Sequence, residues 1–71
     1  MQELGATEPV RIPPDVYAAI QRALEAGIDP YQGRELLCHL YYQQRDEGAY
    51  IWVFTHPDLY RRGLLQGFEP I

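Results

Sequence analysis

Cys38, His39 and His56, set among ten carboxylates, are the side chains that could hold a metal or attack a substrate. A metal site of this type needs three or four such ligands converging on one point. Cys38 and His39 are neighbours on a predicted helix, so their side chains diverge by about 100° and do not chelate together. His56-Pro57-Asp58 is too short a motif to define a site. Thiol catalysis fails on the same geometry, because mid-helix Cys38 is remote from the positive helix end that lowers a thiol pKa. A covered structural cysteine is the simpler expectation. Asp46 and Glu47 adjoin at a predicted helix C-terminus, where negative charge is unfavourable and no cleft is evident. Serine, lysine and asparagine are absent, and the only threonines are Thr7 and Thr55. Serine nucleophiles, Schiff-base lysines, P-loops and N-glycosylation sites are thereby excluded. The expectation is no enzyme, no metal and no cofactor.

What positions these residues is a small fold. The 71 residues are 46% hydrophobic and carry a formal charge of −4, a globular composition with room for one domain. A core of this size rarely contributes more than about 3–5 kcal/mol net, and small folds usually need a staple. With one cysteine no internal disulfide can supply it, so association is the default, and a lone thiol points to a reducing compartment. The N-terminus has neither a basic start nor an apolar run of signal-peptide type. The longest apolar stretch, Ala49 to Phe54, is far below the roughly 20 residues of a membrane span. A cytoplasmic protein with no membrane partner is expected.

Residues 1–9 read as a flexible N-terminus and 10–71 as one compact domain. Val10-Arg11-Ile12, bounded by prolines, predicts a short edge strand or extended lead-in. Pro13-Pro14-Asp15 opens a helix whose apolar face is Val16, Ile20 and Leu24, ended by Gly27 with Ile28 folding back. Asp29-Pro30 starts a second helix, extending to about Glu47, with Asp29 as its cap. Gly48 breaks it, and Ala49 to Thr55 predicts a strand from its aromatic and β-branched content. That strand points Tyr50, Trp52 and Phe54 one way and offers Val10–Ile12 a place to pair. Thr55-His56-Pro57 begins a final helix that Gly63 costs or ends. Gln66 to Ile71 is a tail. The fold class is α+β: two consecutive helices, a short sheet or strand, and a short C-terminal helix.

On the second helix Leu36, Leu37, Leu40 and Tyr41 share an arc of about 140° that should face the core. Tyr31, Cys38 and Tyr42 fall on nearly the opposite side, with Glu35 close by. Something should cover that stripe: a partner, or the strand or final helix folding back. Nine aromatics, six of them tyrosine, exceed what such a core easily hides, and tyrosine is enriched at interface hot spots. Tyr31, Glu35, Cys38, Tyr42 and, from the final helix, Tyr60 are therefore the partner-binding candidates. The expected function is non-catalytic docking, regulatory in kind, on a protein partner or in a homodimer. The acidic charge favours a basic protein over nucleic acid.

The run Val10-Arg11-Ile12-Pro13-Pro14-Asp15-Val16, followed by two helices joined at Gly27-Ile28-Asp29, is similar in element order to the ribbon-helix-helix DNA-binding family. The likeness covers residues 10 to about 47. It implies two chains pairing their strands, a ribbon entering the major groove with Arg11 facing it, and a regulator or antitoxin whose C-terminal third binds a partner. The chain departs from that pattern in three ways. Pro9 sits where a strand should pair, Asp29 would confront phosphate, and the net charge opposes DNA.

Overall fold

The computed structural model describes residues 8–71. The chain runs through β1 (Val10–Ile12), α1 (Pro14–Glu25), α2 (Gly33–Cys38), a π-helical turn (His39–Gln43), α3 (Glu47–Thr55), α4 (Pro57–Gln66) and β2 (Phe68–Pro70). The class is α+β, with four helices and a two-stranded parallel sheet in one small unit. Through residue 7, the expected loose N-terminus lies outside the described residues; Glu8 and Pro9 are exposed.

β1 and α1 follow their local signals. Val10 and Ile12 point inward while Arg11 points out. Pro14 occupies the first turn of α1, which buries Val16, Ala19, Ile20 and Ala23. Leu24, expected on that face, is exposed at its margin. Gly27 takes a left-handed φ of 86°. The Gly27 N–H donates to the Leu24 carbonyl and the Ile28 N–H to the Ala23 carbonyl, at 3.0 and 3.1 Å, which is a Schellman ending.

The second helix is shorter at both ends than predicted. Asp29 Oδ1 accepts the Tyr31 N–H at 3.0 Å, closing a side-chain turn instead of capping a helix, and α2 starts only at Gly33. At the far end the Gln44 N–H reaches the His39 carbonyl, five residues back, at 2.9 Å. This wider turn rotates the following side chains away from the 100° schedule. Leu36 and Leu40 stay fully buried, but Tyr41 leaves the core face and is 42% exposed. Arg45 then reverses the chain at a left-handed φ of 56°.

The predicted strand Ala49–Thr55 is a helix. Asp46 Oδ1 accepts the Ala49 N–H at 3.1 Å, so Asp46 caps α3 and Glu47 lies in its first turn. Both carboxylates sit where the helix dipole favours them, the reverse of the expected C-terminal position. Ala49 and Val53, four apart, are the buried face. Val10–Ile12 therefore finds no strand there.

β1's partner is the supposed tail. β2 pairs with it in parallel, Val10 opposite Phe68 and Ile12 opposite Pro70, and a two-stranded sheet tolerates that edge proline. α4 begins at Pro57 as expected, and Gly63 neither ends nor merely weakens it. A Cβ on Gly63 would lie 2.0 Å from Phe68 Cε1, so the missing side chain is the seat for that ring.

Candidate functional site

The π turn and α3 together lay four rings in a row. Tyr42 meets Tyr41 in a T-shaped pair at 5.0 Å, Tyr41 meets Tyr50 at 5.0 Å, and Tyr50 stacks on Phe54 at 5.9 Å. Tyr50 and Phe54 stack because they are four residues apart on one helix. Tyr41 reaches Tyr50 because the turn at Arg45 brings the two helical segments side by side. The strip's ends are open: Tyr42 is 68% and Phe54 63% exposed, and Ile51 beside them is 52% exposed.

A polar clamp holds the strip's base. The Gln44 amide donates to the Ala19 carbonyl at 2.8 Å and accepts from Arg22 Nε at 3.1 Å. Its nitrogen also lies 3.1 Å from His39 Nδ1. Asp46 Oδ2 is 3.9 Å from Arg22 Nη2. Gln44 and Asp46 thus tie the reversing segment to α1, and Gln44 also meets His39, which presents Tyr41 and Tyr42 on a rooted support.

Three grooves converge on Tyr42. One is lined by Tyr41, Arg45 and Glu47, one by Arg34, Leu37 and Tyr50, and one by Glu35, Cys38 and Ile28. Cys38 and Tyr42 of the predicted stripe share a groove with nearby Glu35. Cys38 is exposed, not the covered structural cysteine expected, because among the described residues no other segment packs over this side of α2. Of the two covers considered for the stripe, the fold-back of a strand or final helix over Tyr42 is not what the chain does, since Tyr42 is 68% exposed. Tyr31 stands apart on the preceding turn, exposed, its hydroxyl 3.5 Å from the Leu64 carbonyl.

Tyr60 is in the core. Its ring is 7% exposed, stacks on Phe68 at 5.8 Å, and its hydroxyl donates to the Pro30 carbonyl. Burial, reinforced by the charge of Asp29 and by Tyr31, pushes the phenol up to about 12. It shares no surface with the strip. Arg11 Nε lies 3.4 Å from Glu69 Oε1, and its strand pairs with β2 of the same chain. The two-chain ribbon implied by the ribbon-helix-helix likeness is not the pairing β1 makes here.

Thr55 and His56 are the nearest approach to a nucleophile beside a base, with Oγ1 and Nδ1 3.0 Å apart. Nδ1 is also 2.8 Å from the Trp52 carbonyl. A carbonyl only accepts, so Nδ1 carries the proton and cannot take one from the hydroxyl. Thr55 Oγ1 in turn donates to the Ile51 carbonyl at 2.7 Å. Among the described residues no three His, Cys, Asp or Glu side chains are grouped to hold a metal ion. No helix among them is long and apolar enough to cross a membrane.

Sequence reasoning placed Tyr42, Cys38 and Glu35 away from the core face, where all three are exposed, but did not anticipate exposed Tyr41 and Phe54 or half-buried Tyr50 beside them. The available signal was Asp46 ahead of a four-residue spacing, Ala49 to Val53 and Tyr50 to Phe54, which fits a capped helix as well as alternation fits a strand. Compared with known proteins, the chain matches no family model, no curated protein and no solved structure.

Proposed function

We propose that this chain is a non-catalytic binding protein that docks on protein through the Tyr42–Tyr41–Tyr50–Phe54 strip. The observation that carries the reading is the row of rings in which Tyr42 and Phe54 are more than 60% exposed and Tyr41 is 42% exposed, with half-buried Tyr50 anchoring them to the core. Rings left in water contribute little to a fold, whereas the same rings against a partner remove large apolar areas from solvent at small rotamer cost. Arg34, Arg45, Glu35 and Glu47 border the rings in the three grooves, as polar residues border an interface core. A regulatory role follows if docking blocks or completes a surface on the partner.

The test is association by sedimentation and by capture of protein from native lysate, comparing wild type with Phe54→Ala and Tyr42→Ala. Docking through the strip requires that an association of the wild type weakens in both variants while their melting curves stay close to wild type. An association indifferent to both rings, or none by either measurement, rejects the reading.

A further inference from the structure

The uncovered side of α3 is the part of the strip that most needs an occupant. From Gly48 to Thr55 the helix has no charged residue, and it is apolar all round: Ala49 and Val53 face the core, Ile51 and Phe54 face water. A helix of that kind belongs inside a larger packed body. α1 and α4 do not share the property, since their outer sides carry Arg22 and Glu25, and Arg61 and Arg62.

The charged residues that line the three grooves about Tyr42, next to this side of α3, point to what the occupant is. Arg34 and Arg45 against Glu35 and Glu47 sum to zero, so the remaining residues carry the whole formal −4. A basic protein would be matched by an acidic rim, and an anionic membrane by a cationic one. A rim holding both signs in equal number is complemented by its own copy after a two-fold rotation, in which each arginine meets the other chain's glutamate. The acidic remainder then repels a copy approaching at any other face, leaving this one for contact. We infer that the occupant is a second copy of this chain, paired isologously with α3 near the axis and Arg45 of each copy facing Glu47 of the other. This inference rests on the docking reading above.

Sedimentation of the wild type over a concentration series should show a reversible monomer–dimer equilibrium. Phe54→Glu should abolish it while the chain stays folded by circular dichroism. Arg45→Glu alone and Glu47→Arg alone place like charges across the axis, and each should weaken self-association by about tenfold or more. Mixing those two single variants should restore pairing as a heterodimer, a result that only reciprocal contact produces and that a merely misfolded variant cannot give. A wild type that stays monomeric yet captures a different protein through Phe54 overturns the second copy and leaves the docking reading standing. A monomer that captures nothing overturns both. A dimer insensitive to Phe54→Glu overturns both as well, since its interface lies elsewhere. A dimer lost in Phe54→Glu whose two charge variants do not restore one another when mixed overturns the isologous geometry.

Discussion

Tyr60, stacked on half-buried Phe68, and the exposed Tyr42, Tyr41 and Phe54 are the same kinds of side chain with opposite fates, and half-buried Tyr50 joins the exposed three to the core. Tyr60 is buried because three separate features receive it: the Phe68 ring beside it, the Pro30 carbonyl for its hydroxyl, and a small residue, Gly63, under its neighbour. Of the strip rings only Tyr50 packs against the core; Tyr42, Tyr41 and Phe54 have their ring neighbours and open solvent. A ring's burial therefore depends less on its own apolarity than on whether the chain supplies a recess and a polar acceptor. The first group is accounted for by the fold; the second is left over from it.

The sharpest way to break this comparison is within the π turn, where Leu40 and Tyr42 are two residues apart. Leu40 is fully buried, so Leu40→Ala should cost about 2–5 kcal/mol in urea denaturation by opening a cavity. A loss below about 1 kcal/mol would mean that the turn is not rooted in the core, and the strip's support would be in doubt.

Gly63→Ala comes next. The new methyl drives the Phe68 ring off its seat, an overpacking cost of about 1–3 kcal/mol. Alanine's better helix propensity offsets about 1 kcal/mol of it. A net destabilisation is expected, and in a Phe68→Ala background the same substitution should become stabilising, which a double-mutant cycle reads directly. The same sign in both backgrounds would show that Phe68 does not rest on Gly63.

Tyr60 gives a pH signature that no exposed ring can give. Its folded pKa is raised from 10.0 to about 12, so the neutral phenol is the form the fold prefers. The associated stability is fully present below pH 10 and is lost as pH rises from there through about 12. Tyr60→Phe should cost about 1 kcal/mol at neutral pH through the lost hydrogen bond, and should flatten the alkaline fall. An unchanged alkaline fall would mean that another group titrates there.

The smallest effects belong to the strip. Tyr42→Ala and Phe54→Ala should each change folding stability by no more than about 0.5 kcal/mol, as surface substitutions do, while association falls. Stability losses as large as that of Leu40→Ala would show that the rings are core after all and would end the distinction between the two groups.

Short-range chemistry in the sequence was enough for the extended backbone of Val10–Ile12, though not for its pairing, for α1 with its proline start and Gly27-Ile28 ending, for the onset of α4, and for the burial of Leu36 and Leu40. Each depends on residues within about one turn of one another, so the local signal is the whole signal. That Cys38 and Tyr42 lie away from the Leu36/Leu40 face was legible for the same reason, but not that both would be exposed. The rest was decided at a distance. Ala49–Thr55 suits a strand by composition, but Asp46 caps it as a helix, and the strand that might have paired with it, β1, is taken by Phe68–Pro70 from the other end of the chain. Tyr41 reached the surface because one wide turn, clamped by Gln44 onto the Ala19 carbonyl, shifts the helical phase. Tyr60 left the candidate surface because the Pro30 carbonyl, thirty residues earlier, accepts its hydroxyl. Helix propensity and periodicity are properties of neighbours in sequence; phase, strand pairing and the recess for a ring are properties of neighbours in space.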